Sequence, residues 1–444
     1  MRHHSRQSFY RILFYTAIAV ALTSSAAMAE TCPQYLPKEE SSKLEKIVGD
    51  ANLVIFGEPS HGLRAVHCLN AETFRHLVET KGFRVIVFES AWEMDDGFRD
   101  FMQSDRKEIT GEESFLLNAF NSAPTLDLLY YIRDHNRKYP KDLIYVAGFQ
   151  PEQPVTDARA ISAYASHAVE FPSFNLRAKT ASCKAWNDEF GDDIAFIGFS
   201  GKRRHKEKLP TYTEEERKQC MDGLTAVEQF LEKNKKELTD KTSVAQFQEA
   251  VLHVKSLRNY VGLLSVVLDS SVTHPNMTHE ETLKQGHDTY ERGDAARFEV
   301  FQTLRQTRYQ NKKIFLWMHD WHAAKHSDEI EYPENIPLGT VSVGTRLAKE
   351  YGRNLVVIGG IVGCPSCKEG VPADAIENKF ADMFGNKTVL VDLRNPTQAE
   401  EKLPLDSPGS LWDQLYKDRV VKIVLRDQFD AVYYLPESKT GDEK

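Results

Sequence analysis

Short apolar runs of strand length constrain the fold of this chain more than any other feature. They are rich in Val, Ile, Leu and Phe, which is typical of strands buried on both faces of a parallel sheet. The runs are Asn52–Phe56, Arg84–Phe88, Leu143–Ala147, Lys313–Met318, Asn354–Ile358, Thr388–Asp392 and Ala431–Leu435, with Val421–Leu425 as a further candidate. Because helical patterns lie between them, the order predicts an α/β fold with a mostly parallel central sheet flanked by helices.

The middle of the chain has a different pattern. No apolar run between residues 157 and 310 has the form of a buried strand. Long helices are predicted there from a capping box at Thr213 and Glu216 through Lys235, over Ser243–Leu268, and from a second cap at Thr278. We therefore predict a helical insertion or cap domain at 157–310. It separates the two parts of the α/β core, 30–156 and 311–436, and a polar tail follows at 437–444.

The beginning of the chain has the parts of a signal peptide. Arg2, Arg6 and Arg11 give a basic start, and the apolar run Ile12–Leu22 is too short for a comfortable membrane span. Small residues of the Ala-x-Ala type end at Ala29, where a signal peptidase needs them. We expect residues 1–29 to be cleaved off, which predicts a secreted or periplasmic protein without membrane attachment.

Charge and cysteine content narrow the classes of partner. The net charge is −9, and no basic run of the kind that binds nucleic acid is present, so a nucleic-acid partner is not expected. An even count of six Cys in an oxidising compartment favours disulfides, and Cys183 and Cys220 are plausible partners. Cys364 and Cys367 have redox-motif spacing, but their Gly/Pro-rich surroundings favour a loop-stapling disulfide. No oligomeric state follows from the sequence.

Ionisable side chains follow the first predicted strand directly. The segment Gly57–Gly62 reads GEPSHG, so that Glu58 and His61 share one small loop at the carboxyl end of that strand. In open α/β sheets, ligands bind at this edge. The glycines on either side allow the backbone to approach a ligand closely.

Three more predicted strands end in polar or ionisable residues. The second is followed by Glu89, the third by Gln150, and the fourth by the run His319–His322, which reads HDWH. Parallel neighbours would bring these ends to one edge, and such a concentration of ionisable groups is typical of a functional site. The other histidines, His67 and His253 among them, lack this placement and are interpreted as surface or packing residues.

At these positions the sequence resembles the erythromycin esterase family. The matching segments are Gly57–Gly62, the following helix, the strand that ends at Glu89-Ser90, Leu126–Pro140, Met318–His322, Pro337–Tyr351, Asn354–Gly359 and Phe429–Val432. The resemblance is weak over the helical insertion. It implies an α/β enzyme that cleaves an ester, in the family the lactone of macrolide antibiotics.

The resemblance also implies roles for individual residues. His61 would be the base that activates water, Glu58 and Glu89 the carboxylates of the same site, and His319 and His322 the histidines opposite. The sequence departs from the family at several positions, which we expect to shape substrate binding together with Trp321. They are Asn70 where the family has a basic residue, Gln150 where an acid is common, Asp320 in the HDWH segment, and the partly matching block near Arg292.

These residues predict hydrolysis of a small-molecule carboxylic ester by water, without a cofactor. Glu58 or Glu89 would orient His61, and His319 or His322 would stabilise the oxyanion or protonate the leaving alcohol. No G-x-S-x-G elbow supplies a serine nucleophile.

Three alternatives use the same residues or the paired cysteines. A divalent metal such as zinc would be held by a set of histidine and carboxylate ligands, namely His61, Glu89, His319 and His322. A non-catalytic protein would bind a small ligand or haem through His61 or His322. A thiol oxidoreductase would use Cys364 and Cys367.

Overall fold

The computed structural model describes most of the chain outside its two ends and parts of its middle. The described residues are 32, 35–106, 108–110, 113, 117–151, 154–166, 180–183, 213–272, 279–331, 339–363, 374–413 and 419–436. Five sequence predictions lie outside them: the signal peptide 1–29, the cap at Thr278, Cys364, Cys367 and the tail 437–444.

The strands confirm the predicted fold class. They are β1 Leu53–Glu58, β2 Phe83–Ala91, β3 Tyr145–Gln150, β4 Lys313–His319, β5 Leu355–Val362, β6 Val389–Asp392, β7 Gly409–Asp413, β8 Arg419–Ile423 and β9 Ala431–Leu435. Seven of them form one sheet in the order β3-β2-β4-β1-β5-β9-β6. All neighbours in it are parallel except β6, which runs antiparallel to β9.

Helices connect and cover the strands. They are α1 Lys38–Val48, α2 Arg64–Lys81, α3 Met94–Gln103, α4 Ala123–Lys138, α5 Pro154–Ser166, α6 Glu214–Lys233, α7 Lys235–Lys241, α8 Val244–Val272, α9 His279–Thr307, α10 Asp320–Ala323, α11 Val343–Tyr351, α12 Ile376–Phe384 and α13 Leu425–Gln428. Helix α2 ends as predicted at Gly82, whose φ of 73° lies in the left-handed region that glycine adopts without strain.

Alternating residues of each strand feed two hydrophobic cores, one on each face of the sheet. Val54 and Phe56 pack into the core beneath α2 and α4, whereas Leu53 and Ile55 pack into the core beneath α9 and α11. A strand buried on both faces needs apolar residues at successive positions, which explains the continuous apolar runs of the sequence.

The helical middle of the chain forms a third core of its own. Helices α5, α6 and α8 supply its buried side chains, which include Leu224, Val227 and Leu257. The capping box at Thr213 is present, but the first helix ends at Lys233 rather than Lys235 because Asn234 leaves helical geometry. Helix α9 packs on the sheet through Phe301 and its neighbours, so it links this third core to the main fold. The domain boundaries themselves stay a prediction.

The prediction of a buried parallel strand at Val421–Leu425 is wrong. Residues 419–423 form β8, which pairs antiparallel with β7 as a separate two-stranded sheet. Val421 and Ile423 are buried and Lys422 between them is exposed, the alternation of a strand with one solvated face.

Two disulfides stabilise the described part of the chain. Cys183 pairs with Cys220, as predicted, and Cys32 pairs with Cys68 on α2. None of the helices in the described ranges has both the length and the apolar character needed to cross a bilayer.

Removal of the Cys32–Cys68 disulfide is expected to destabilise the protein. Its two cysteines are 36 residues apart. Closing a loop of that length reduces the entropy of the unfolded chain, which raises its free energy by about 3–4 kcal/mol at room temperature. The double variant Cys32→Ala/Cys68→Ala should therefore unfold at lower denaturant concentration. The matched variant Cys183→Ala/Cys220→Ala opens a loop of separation 37 and should lose a similar amount. An unchanged midpoint in both would contradict the expectation.

Candidate active site

The carboxyl edge of the sheet brings the predicted residues together. The strands run farther than the sequence indicated, so Glu58, Glu89, Gln150 and His319 lie within β1 to β4 rather than after them. The reason is that parallel neighbours continue their hydrogen-bond ladder, in which Glu58 is opposite His319. β1 passes so close to the side chain of Asp320 that only glycine fits at position 57, since a Cβ there would lie 1.9 Å from an oxygen of the Asp320 carboxyl group.

Glu58 and His61 form a pair at the end of β1. The fully buried Glu58 carboxylate accepts a hydrogen bond from the indole Nε1 of Trp317 at 2.7 Å, and its other oxygen lies 2.5 Å from Nδ1 of His61. Glu58, rather than Glu89, therefore orients the His61 ring. Because Nδ1 is occupied, Nε2 is the nitrogen left for a substrate or a water.

The charge of Glu58 controls the proton affinity of His61. Burial by itself would lower the pKa of His61, but the hydrogen bond and negative charge of Glu58, with help from Glu89, outweigh burial and raise that pKa to about 9. His61 is consequently protonated at neutral pH and becomes a base only as the pH rises.

The rate of a reaction that uses His61 as base is expected to increase with pH. The unprotonated fraction of His61 grows as the pH passes its pKa of about 9, so kcat/KM should level off only above that pH. Glu58→Gln removes the charge that raises this pKa, and the midpoint should move to lower pH. The measurement is kcat/KM on a soluble ester from about pH 6 to 10. A midpoint that does not move in the variant would contradict control by Glu58.

Glu89 is the centre of a second buried network. Its carboxylate accepts hydrogen bonds from the backbone N–H of His319 at 2.9 Å and from Nε2 of Gln150 at 3.2 Å. Nε2 of His322 lies 3.3 Å and Nη2 of Arg297 3.7 Å from the same carboxylate. Burial would raise the pKa of Glu89, but His322 and Arg297 outweigh burial and lower it, so Glu89 is a carboxylate.

Helix α9 supplies two residues of this network that the sequence patterns did not single out. Asp294 lies 2.8 Å from Nδ1 of His322 and accepts a hydrogen bond from Nη1 of Arg297 at 2.6 Å and from the backbone N–H of Val343 at 2.9 Å. Both ring nitrogens of His322 thus face carboxylates, Nδ1 that of Asp294 and Nε2 that of Glu89.

His319 differs from His61 in the direction in which its pKa is shifted. Burial, together with the charges of His61 and His322, holds its pKa well below the usual value. Its Nδ1 accepts a hydrogen bond from the backbone N–H of Trp321 at 3.3 Å, so the ring proton resides on Nε2. Nε2 is buried and without a hydrogen-bond partner among the described residues, and the ring centres of His319 and His61 are 5.2 Å apart. A neutral donor therefore lies beside the base.

Asp320 is hydrogen-bonded to β5 rather than to the network around Glu89. Its carboxyl group accepts the backbone N–H of Gly360 at 3.1 Å, and burial, together with the charge of Glu58, raises its pKa well above the usual value. The extra acid of the HDWH segment therefore links the end of β4 to β5 through the backbone of Gly360.

Some predicted residues are not gathered with these groups. Asn70 is fully buried in α2, and its amide has no partner in the described part of the structure. Arg292 is exposed on α9, whereas the buried arginine of that helix is Arg297. Conversely, His67 does more than pack: its Nδ1 lies 2.6 Å from Ser122 Oγ and its Nε2 lies 3.6 Å from Glu58.

The metal alternative receives no support from side-chain placement. Within the ranges that the structure describes, no three His, Cys, Asp or Glu side chains are arranged to hold a metal ion. The set of His61, Glu89, His319 and His322 would have to rearrange to become ligands. No reaction step is assigned to a metal.

A parallel sheet with a base, a carboxylate and a neutral donor at its carboxyl edge defines an α/β protein of enzymatic type. The chain belongs to the erythromycin esterase family, whose model matches residues 78–438. The predicted resemblance is thereby confirmed. Glu58 and His61 precede the matched residues, so their place in the site rests on the geometry given above.

Solved structures share the whole fold at low identity. A protein from Bacillus cereus has 19% identity and a TM-score of 0.66, with 95% of this chain and 97% of that chain covered. A succinoglycan biosynthesis protein has 15% identity and a TM-score of 0.64, with coverage of 90% and 91%. A histidine-to-asparagine mutant of the erythromycin esterase EreC, in its open conformation, has 16% identity and a TM-score of 0.63, with coverage of 93% and 97%. At these identities the likeness shows the fold alone.

Proposed function

We propose that the protein hydrolyses a carboxylic ester or lactone with a water molecule activated by His61. The observation that carries the proposal is the contact of 2.5 Å between Glu58 and His61 Nδ1, which leaves Nε2 of His61 beside the neutral His319. A base next to a neutral donor is what attack on a carbonyl group requires. The family, named for an ester hydrolase, supports the same reaction class.

The reaction uses the three histidines in different roles. Nε2 of unprotonated His61 takes a proton from water while the water oxygen bonds to the carbonyl carbon. The carbonyl oxygen becomes an oxyanion, to which Nε2–H of His319 donates. The bond to the ester oxygen then breaks, and that oxygen takes a proton from His322. Exchange with solvent returns both rings to their starting states, and the products are a carboxylic acid and an alcohol.

A serine nucleophile is not part of the proposal. The Oγ of Ser60 donates to the backbone carbonyl of His61 at 3.4 Å, and Nδ1 of His61 is held by Glu58. Ser60→Ala is therefore expected to keep most of the activity. Loss of activity in Ser60→Ala with retention in a His61 variant would overturn the water mechanism.

The test of function is a panel of small esters plus erythromycin, incubated with purified protein and followed by mass spectrometry. Hydrolysis of an intact lactone adds the mass of one water, and hydrolysis of an open ester gives an acid and an alcohol. Activity is expected to survive exhaustive chelation because His61, not a metal, activates the water. No turnover of any ester or lactone, with or without added zinc, would overturn the proposal.

We also propose that the protein is exported and cleaved after Ala29. The two disulfides are typical of an oxidising compartment. Amino-terminal sequencing of protein recovered from the periplasm or medium should begin at Glu30. Retention of the native amino terminus in exported protein would contradict cleavage at this position.

A further inference from the structure

An apolar pocket opens beside His319. Its apolar wall comes from β5, the β7–β8 hairpin and adjoining segments, through Ile330, Ile361, Leu411, Val421, Ile423 and Phe429. The side chains of Ile361, Val421 and Ile423 are buried, while Leu411 and Trp321 are partly exposed, as residues at an opening are. No residue of α5 to α9 is among those described as lining it.

The pocket and the charged network around Glu89 share His319 but no other described residue. Asp294 and Arg297, which contact His322 and Glu89, both come from α9, whereas the described pocket wall contains no residue of that helix. The ester carbon between His61 and His319 has two substituents. The alcohol oxygen needs a proton donor and belongs next to His322. The acyl chain is then left for the apolar pocket, which His319 also lines.

The described lining of the pocket offers no positively charged partner to an anionic occupant. Its described lining contains no lysine or arginine, and its titratable members are His319, Asp320 and Glu377. Burial lowers the pKa of His319 and raises that of Asp320, so burial disfavours the charged form of each. An anionic chain would find no cation here, whereas a neutral hydrocarbon chain would replace water along an apolar wall.

We propose that this pocket binds the acyl chain of the substrate, so that the site prefers esters of apolar straight-chain acids of medium length. The proposal rests on the esterase function proposed above and adds a substrate class to it. Each methylene placed in such a wall should raise kcat/KM by roughly threefold to fourfold until the pocket is filled.

The test compares two ester series. In the first, the alcohol is p-nitrophenol and the acid grows from acetate to octanoate. In the second, the acid is acetate and the alcohol grows from methanol to octanol. A rise of kcat/KM with chain length is expected in the first series and not in the second. A rise confined to the alcohol series would assign the pocket to the leaving group, and a flat acyl series would overturn the proposal.

Variants of the β7–β8 hairpin make the test specific for the pocket. Leu411→Trp partly fills the opening and should lower the ratio of octanoate to acetate hydrolysis about tenfold or more. Val421→Ala enlarges the pocket and should shift the optimum to longer chains. The matched control is Lys422→Trp on the exposed face of the same strand, which should leave the ratio unchanged. An equal fall of the ratio in Leu411→Trp and Lys422→Trp would contradict a role for the pocket.

Binding of straight-chain methyl ketones separates this proposal from the proposed function. These ketones are not hydrolysed, so their dissociation constants report on the pocket without turnover. The dissociation constants of the ketones should fall by the same factor per methylene in the wild type and should not fall in Leu411→Trp. Failure to hydrolyse any ester would remove the acyl assignment together with the function. An active enzyme with neither acyl-length nor ketone-length dependence would overturn the pocket alone.

Discussion

Replacement of His61 by Asn is expected to lower kcat/KM for ester hydrolysis by roughly 10²–10⁴-fold, the range for loss of a general base. Asn is close in shape to the proximal half of the ring, so Glu58 keeps a hydrogen-bond donor while the proton acceptor at Nε2 disappears. The measurement is kcat/KM near pH 9, where wild-type His61 is about half unprotonated.

A histidine of the neighbouring helix provides the control for this substitution. His76 lies on α2, and its Nε2 contacts Glu45 near the surface at 2.9 Å. His76→Asn should keep activity within about twofold, since surface substitutions away from special features have small effects. If His61→Asn retained activity close to that of His76→Asn, His61 would not be the base.

Replacement of Glu89 by Ala is expected to produce the largest loss of stability. Glu89 is buried and faces the buried Arg297 and His322, so its removal takes away one of the two carboxylates, Glu89 and Asp294, that face them. Breaking a buried pair in this way costs about 3–5 kcal/mol of the free energy of unfolding. The free energy of unfolding is measured by chemical denaturation. The value of kcat/KM should fall as well, because the backbone N–H of His319 loses its acceptor.

A second variant and a surface control test the cause of that loss. Glu89→Ala combined with Arg297→Met removes a buried positive charge together with one of its carboxylate partners and should recover part of the stability. Asp142→Ala breaks the surface pair with Arg84, in which Asp142 is 53% exposed, and should cost at most about 1 kcal/mol. A double variant no more stable than Glu89→Ala would show that charge imbalance is not the cause.

Local sequence patterns predicted the sheet because burial on both faces leaves a continuous apolar run that few other structures produce. The same reasoning brought Glu58, Glu89, Gln150 and His319 to one edge, since parallel strands share a direction. The sequence predicts a strand near Val421 but not its antiparallel pairing with β7. Lys422 interrupts the apolar run, and no pattern in the sequence of β7 indicates that it is the partner strand.

The residues of α9 could not be predicted for a different reason. Asp294 and Arg297 are three residues apart on a helix, a spacing that is common on solvated faces. Only the docking of α9 against the sheet buries this pair next to His322 and Glu89. Arg292 was predicted from the same block, but it is exposed. The face of a helix that contacts a sheet depends on tertiary packing, which a spacing of charges does not specify.

The network around Glu89 ties the completion of folding to the appearance of activity. It joins β2 to β4, where His319 and Glu89 are 230 residues apart in the chain, and it closes only when α9 packs against both strands. Contacts between such distant segments form late, because the entropy of ordering the intervening chain must be overcome first. A partly folded chain therefore has neither the carboxylate partner of His322 nor the neutral donor of His319. The residues proposed for catalysis are therefore brought together only when these long-range contacts have formed.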